Sequence, residues 1–163
     1  LPQGMSWEWF AGFFDGEGSI GYYKTGYSHF AFFTITNTNF TAAKWLRDRI
    51  SLGKWLVRKR DNGRYGSKTL WEWRIRNKDE VINILTSIQP YLIIKADQVD
   101  LLLNQMNIEQ EIGCKAGKKV SNFTKTQRLI VEKQLKDMKK AEAYQQDVHN
   151  FVTYGNKSHP SVN

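Results

Sequence analysis

Along the first part of the chain, Trp9, Phe10, Phe13 and Phe14 recur at the i, i+3, i+4 spacing of one buried helical face, and Ser6 stands where an N-cap belongs. Ala11 and Gly12 make one side of this helix thin. Gly16 follows Gly12 at small-x-x-x-small spacing, which lets two helix backbones approach closely. Gly16 and Gly18 are expected to end the helix.

The period then changes from helical to alternating. Ser19 to Lys24 and Phe30 to Asn37, rich in aromatic and β-branched residues, flank the turn Thr25-Gly26-Tyr27-Ser28 and predict a β-hairpin. Ala31, Phe33 and Ile35 alternate with Phe30, Phe32, Thr34 and Thr36, which gives one apolar face and one mixed face. A helix is expected from about Thr41 to Ser51, opened by Thr38 or Thr41 and closed at Gly53, with Ala42, Trp45, Leu46, Arg49 and Ile50 at helical spacing. A second hairpin pairs Lys54 to Arg60 with Thr69 to Arg76 around a two-glycine loop. In its later strand Trp71, Trp73 and Ile75 oppose Glu72, Arg74 and Arg76; in its earlier strand Val57 opposes Arg58 and Arg60.

Further on, Val81, Ile82 and Leu85 predict a short helix from Lys78 to Thr86 capped by Asn77, and a longer helix follows Gln89-Pro90, from about Tyr91 to Glu111. Gly113, Gly117, Lys115, Lys118 and Lys119 make a basic loop. Thr124 to about Asn150 predicts a polar, lysine-rich helix, and Phe151 to Asn163 is expected to fray. The element order predicts an α+β fold: a four-stranded antiparallel sheet with helices on one face and the other face free for a partner. Residues 1–112 are expected to form the core, with 113–163 a basic loop and terminal helix of the same domain; 163 residues suit one domain with a proper core.

Charge narrows the partner. Lys and Arg number 24 against 16 Asp and Glu, for a net charge of +8, which points to a polyanion and first to nucleic acid. The excess is local: between 54 and 78 there are nine Lys or Arg against Asp61 and Glu72, and a merely solvated strand face would mix its signs. A basic β-ribbon fits the major groove, where Arg reads guanine edges and Lys or Arg holds phosphates. Between 115 and 140 nine basic residues stand against Glu132 and Asp137; a phosphate contact and a simply solvated helix suit that pattern equally. Cys114, the single cysteine, excludes an internal disulfide, and His29, His149 and His159 lack zinc spacing. No apolar run approaches membrane length and no signal-peptide pattern opens the sequence, so an intracellular protein is expected.

The odd feature is the pair Asp15 and Glu17 at the end of the first helix, where the helix dipole favours cations. A bound cation would explain both; so would Asp15 bonded to backbone amides beside a solvated Glu17. The string Phe10-Ala11-Gly12-Phe13-Phe14-Asp15-Gly16-Glu17-Gly18 resembles, place by place, the signature helix of the LAGLIDADG homing endonucleases. Gln89-Pro90-Tyr91-Leu92-Ile93-Ile94-Lys95 resembles the family segment that delivers a lysine near the scissile phosphate. Without that likeness, Lys95 reads as a lysine whose stem lies on the core.

The resemblance runs from about Trp7 to Met106 and implies metal-dependent hydrolysis of one phosphodiester in each strand of a long, near-palindromic DNA site. Glu17 would bind Mg²⁺ or Mn²⁺, aided by the Gly16 carbonyl; Lys95 would stabilise developing charge or organise the attacking water; Asn37 would position water. Asp15 is assigned a structural role. A single signature helix implies a homodimer, with Ala11, Gly12 and Gly16 at the two-fold contact. The implied DNA-binding positions are Gly21, Tyr23, Thr34, Arg58, Arg60, Arg64, Glu72, Arg74, Arg76, Lys118 and Lys119. Two departures stand out: the metal acid is Glu rather than the commoner Asp, and the basic residue expected soon after Asn37 is missing unless Lys44 fills its role. The rival readings are an intron RNA maturase and a non-catalytic DNA-binding protein on the same fold.

Overall fold

The computed structural model describes residues 4–26, 28–60, 68–113 and 121–154, with side chains described except at 59, 60, 68 and 146–154. Helix α1 spans Trp7–Glu17, and strands β1 (Gly18–Thr25) and β2 (Ser28–Asn37) follow it directly. Helix α2 is Phe40–Arg47, strands β3 and β4 are Lys54–Arg60 and Lys68–Ile75, and helices α3, α4 and α5 are Lys78–Ile88, Ala96–Glu111 and Asn122–Tyr154. The four strands form one antiparallel sheet in the order β1-β2-β4-β3. The α+β architecture read from the sequence is therefore present.

Helices cover one face of the sheet because one parity of every strand is apolar. Ile20, Phe33 and Ile75 stand in one cross-strand row, and Ile35, Trp73 and Trp55 in the next. Phe10 and Phe14 of α1 dock on these rows: Phe14 stacks on Phe33 with ring centroids 4.6 Å apart, and Phe33 meets Trp73 edge-on at 5.5 Å. All four rings are fully buried, and removing one such ring costs about 3–5 kcal/mol. The Trp73 indole donates to the Leu52 carbonyl at 2.7 Å, so its polar atom is satisfied inside the core.

Several element boundaries differ from the expected ones, each for a local reason. Trp9 was expected on the buried face of α1 but is 45% exposed, because Phe10, Ala11 and Phe14 carry the contact with the sheet. Gly18 caps α1 with extended backbone (φ −86°) rather than a left-handed turn. Its glycine serves space instead: a Cβ there would lie 2.0 Å from the Phe14 ring. Helix α2 is capped by Asn39, whose Oδ1 accepts from the Ala42 amide, rather than by Thr38 or Thr41. It also ends earlier, and the chain turns back through Gly53 at φ +72°, where a Cβ would meet the Arg74 carbonyl at 2.6 Å. Asn77 caps α3 as expected, while α3 runs on to Ile88.

The helix expected from Tyr91 begins instead at Ala96. Gln89–Tyr91 form a 3-10 turn at Pro90, and the next residues stay out of helix because their amides are aimed at Asp15. Helix α5 packs through Val131 and Leu135 into the common core and runs beside α4 and β1. No described helix is long and apolar enough to cross a membrane. The expected loop around Asp61 to Ser67, the loop with Lys118 and Lys119, and the tail from 155 onward lie outside the described residues.

Candidate functional site

The end of α1 gathers most of the residues singled out in the sequence. Asp15 is buried, and its carboxylate accepts three backbone N–H groups from the segment before α4: Ile93 at 2.8 Å, Ile94 at 3.2 Å and Lys95 at 3.0 Å. Asp15 is thus occupied by amides far away in sequence, not by those of its own turn. The Lys95 ammonium donates to the Asp15 carbonyl and stands 6.0 Å over the Phe14 ring. It meets the negative end of α1, whose last turn holds no basic residue of its own.

Glu17, two residues on, is exposed and makes no ion pair among the described residues. It sits where α1 passes straight into edge strand β1. Asn37 is brought to the same end, since Gly18 pairs with Ile35 and Asn37 lies two residues beyond. Its Oδ1 accepts from the Asn39 amide at 2.6 Å. Lys44 does not fill the missing basic position: it pairs with Asp48 on the outer side of α2.

A different cation reaches this end of the molecule. Lys139 of α5 donates to Ser19 Oγ at 3.0 Å and to the Ile20 carbonyl. Together with Asp15, Gly16, Ile94, Lys95 and Glu142 it lines an open cleft of about 640 Å³. Burial lowers the Lys139 pKa, Glu142 opposes that shift and Lys95 adds to it. In the sequence Lys139 was one of nine basic residues between 115 and 140; only its seat against the edge of β1 sets it apart.

The two signature glycines leave a bare strip. A Cβ built at Gly12 or Gly16 meets nothing within 4 Å. Ala11, expected beside them at a dimer contact, is fully buried in the protein's own core and cannot reach a partner. The open strip is flanked by apolar residues instead: Trp9 stacks on Phe13 at 5.3 Å and meets Trp45 at 5.0 Å, while Ile93 and Ile94 are 86% and 58% exposed.

The uncovered face of the sheet begins at Glu17 and continues down the strands. Ser19, Thr34, Arg74 and Lys54 form one cross-strand row, and Thr36, Glu72 and Leu56 another. Glu72 is buried and forms ion pairs with both Arg74 and Arg58, the latter at 3.0 Å. Glu72 was expected among the DNA-binding residues; its seat beneath two guanidiniums makes it their anchor rather than a contact. Thr34 is likewise 7% exposed and close to closed off. Gly21 is buried as well, under the Phe32 ring, which a Cβ would strike at 2.3 Å. Tyr23 is half-buried, while Arg58 and Arg76 are exposed. The Arg60 backbone pairs with Lys68 at the hairpin end, its side chain being outside the described residues, as are Arg64, Lys118 and Lys119.

Neither a protein-family model nor a curated protein matches the sequence. Solved structures do. The LAGLIDADG meganuclease I-AabMI, bound to uncleaved DNA, matches 78% of this chain with a TM-score of 0.61 and 17% identity. The LAGLIDADG homing endonuclease I-GzeII, in complex with its DNA target, matches 78% with a TM-score of 0.57 and 13% identity. The chain has the LAGLIDADG homing-endonuclease fold. The meganuclease I-SmaMI, bound to uncleavable DNA, matches 81% at a TM-score of 0.54 and 19% identity. In all three matches this chain spans 44% of the other chain's length.

Proposed function

We propose that this protein is a site-specific DNA endonuclease that works as a homodimer and cuts both strands of a long, near-palindromic duplex with Mg²⁺ or Mn²⁺. The observation that carries this reading is the position of Glu17. It is an exposed carboxylate with no ion pair among the described residues, set where the Gly12–Gly16 strip ends and the uncovered face begins. The DNA complexes of I-AabMI and I-GzeII support the duplex as substrate.

A hard divalent ion suits the donors offered here, the Glu17 carboxylate and the Gly16 backbone carbonyl at the end of α1. Among the described residues no three His, Cys, Asp or Glu cluster within one chain. Two copies joined along the α1 strip would bring a second Glu17 to the same axis, and DNA phosphate and water would complete the shell. The ion, when bound, neutralises the phosphate and eases departure of the alkoxide. Lys95, fixed by its bond to the Asp15 carbonyl, holds an ammonium beside the developing negative charge. Lys139 adds a second ammonium from α5, in place of the cation missing after Asn37. Asn37 orients water through its carboxamide N–H groups. Arg58 and Arg74, braced by Glu72, present fixed donors to the groove.

The test is selection of cleaved sites from a pool of random duplexes with Mg²⁺, run beside a Ca²⁺ arm. One near-palindromic site, cut on both strands in Mg²⁺ and only bound in Ca²⁺, is the expected result. Binding to such a site without cutting in either metal would overturn catalysis and leave a DNA-binding regulator or an intron RNA maturase, with intron RNA as the next ligand tested.

A further inference from the structure

The uncovered sheet face is divided into two chemistries. Near Glu17 it is ionic, with Arg58, Arg74 and the buried Glu72. Towards the β1–β2 turn it becomes aromatic. Tyr23 pairs with Phe30 across the strands, their rings 6.4 Å apart, and Tyr23 meets the edge of Phe32 at 5.5 Å. Phe32 can lie flat because its cross-strand partner is Gly21. Phe30 remains 37% exposed. A shallow hollow of about 300 Å³ separates this patch from the guanidiniums, lined by Tyr23, Phe32, Arg74 and Arg76.

Core packing does not explain these rings, since the helices lie on the opposite face. A soluble partner built of charge alone would not call for them either. The major groove offers both chemistries side by side: acceptor edges on guanine for Arg, and the C5-methyl of thymine as its apolar feature. On the DNA-cleavage reading above, we infer that Tyr23, Phe30 and Phe32 read thymine methyl groups, and so determine specificity for T·A pairs in the outer part of each half-site.

The strand fixes where those pairs fall. Strands advance about 3.3 Å per residue, close to the 3.4 Å rise per base pair. Gly21, carrying the Phe32 ring, lies four residues from Glu17, and Tyr23 lies six. The thymines are therefore expected about four to six base pairs from the cut phosphodiester, outside the steps faced by Arg74.

Replacing thymine by deoxyuridine removes the methyl and leaves base pairing intact. With the full chain in Ca²⁺ and the selected duplex, one such replacement in the outer segment should weaken binding about three- to fivefold, the value of one buried methyl. The same replacement elsewhere in the site should change nothing. At the base pair that Phe30 faces, Phe30→Ser should bind the thymine and deoxyuridine duplexes alike. Full-strength binding of wild-type protein to the deoxyuridine duplex, or a selected site with G·C pairs throughout that segment, would overturn the inference while leaving the nuclease reading intact. Failure to bind any duplex would instead overturn the nuclease reading, and this inference with it.

Discussion

Two acidic centres, on α4 and α1, put the same side chain to opposite uses. In the last turn of α4, the buried Glu109 carboxylate accepts from Tyr22 Oη, Gln105 Nε2 at 3.0 Å and Arg128 Nε at 2.7 Å on a single oxygen. Burial disfavours its charge, but those donors prevail and hold Glu109 below the usual carboxylate range. Burial, reinforced by the same partnership, pushes Tyr22 well above the ordinary tyrosine range. At the end of α1, Glu17 stands exposed with no ion pair among the described residues. Where the chain needs an acid for its own cohesion it supplies the donors; where it leaves an acid open, the partner must come from outside.

The largest effect should come from the closed centre. Glu109→Ala leaves the Arg128 guanidinium buried without its carboxylate, and should cost about 3–5 kcal/mol in urea denaturation. The anchoring of α5 on β1 and α4 would loosen with it. A loss below about 1 kcal/mol would show that the network does not hold α5 in place.

Asp15 belongs with Glu109 rather than with Glu17, although it is only two residues from the latter. Asp15→Asn weakens three charge-assisted amide bonds, and should cost about 1.5–3 kcal/mol. The cost should appear in melting first, since the amides it holds also position Lys95. If Asp15→Asn melts like the wild type while cleavage stops, Asp15 is a metal ligand and the division between the two acids fails.

This division was only partly legible in the sequence. The signature string and the alternating strands gave the helix, the sheet and the placing of Glu17, because local periodicity and a bounded motif carry that information. Asp15 could be sorted from Glu17 only as a structural acid, since its three donors come from residues 93–95, which no local pattern joins to residue 15. The same holds for Lys139, whose role depends on where a long polar helix lands on the sheet edge. The Tyr22–Glu109–Arg128 cluster, spanning three elements, left no signal. Phe30 and Phe32, ambiguous as strand residues, became clear once the register put them opposite Tyr23 and Gly21. Ala11 was misplaced because the motif names small residues without saying which side of the helix each one faces.

On the open face, Arg58→Ala and Arg74→Ala should each weaken specific DNA binding by about 1–3 kcal/mol, with less loss on unrelated sequences. Equal loss on all sequences would make them phosphate contacts. Lys139→Met should slow single-turnover cleavage while leaving Ca²⁺-supported binding near the wild-type level, and Lys139→Arg should restore much of the rate. Parallel loss of melting temperature in both variants would reduce Lys139 to a brace for β1.

The smallest effect is that of acid on the closed centre. Burial lowers the pKa of His29, Arg128 adds to that shift, and Glu132 and Glu109 oppose it. The unfolded chain therefore takes up the proton first, so stability is full above about pH 6.5 and falls as the pH drops below it. Glu109, lowered in the fold, adds a second loss as the pH passes below about 4.3. His29→Gln should flatten the first step of the melting profile and leave the second.

The most direct measurement is the comparison of Glu17→Gln with the wild type on the selected duplex: single-turnover cleavage in Mg²⁺, binding in Ca²⁺, and thermal melting. Glu17→Gln keeps the shape and removes the charge. It should melt and bind DNA like the wild type and cut neither strand. Cleavage by Glu17→Gln at the wild-type rate would contradict the assignment of the open acid as the metal ligand.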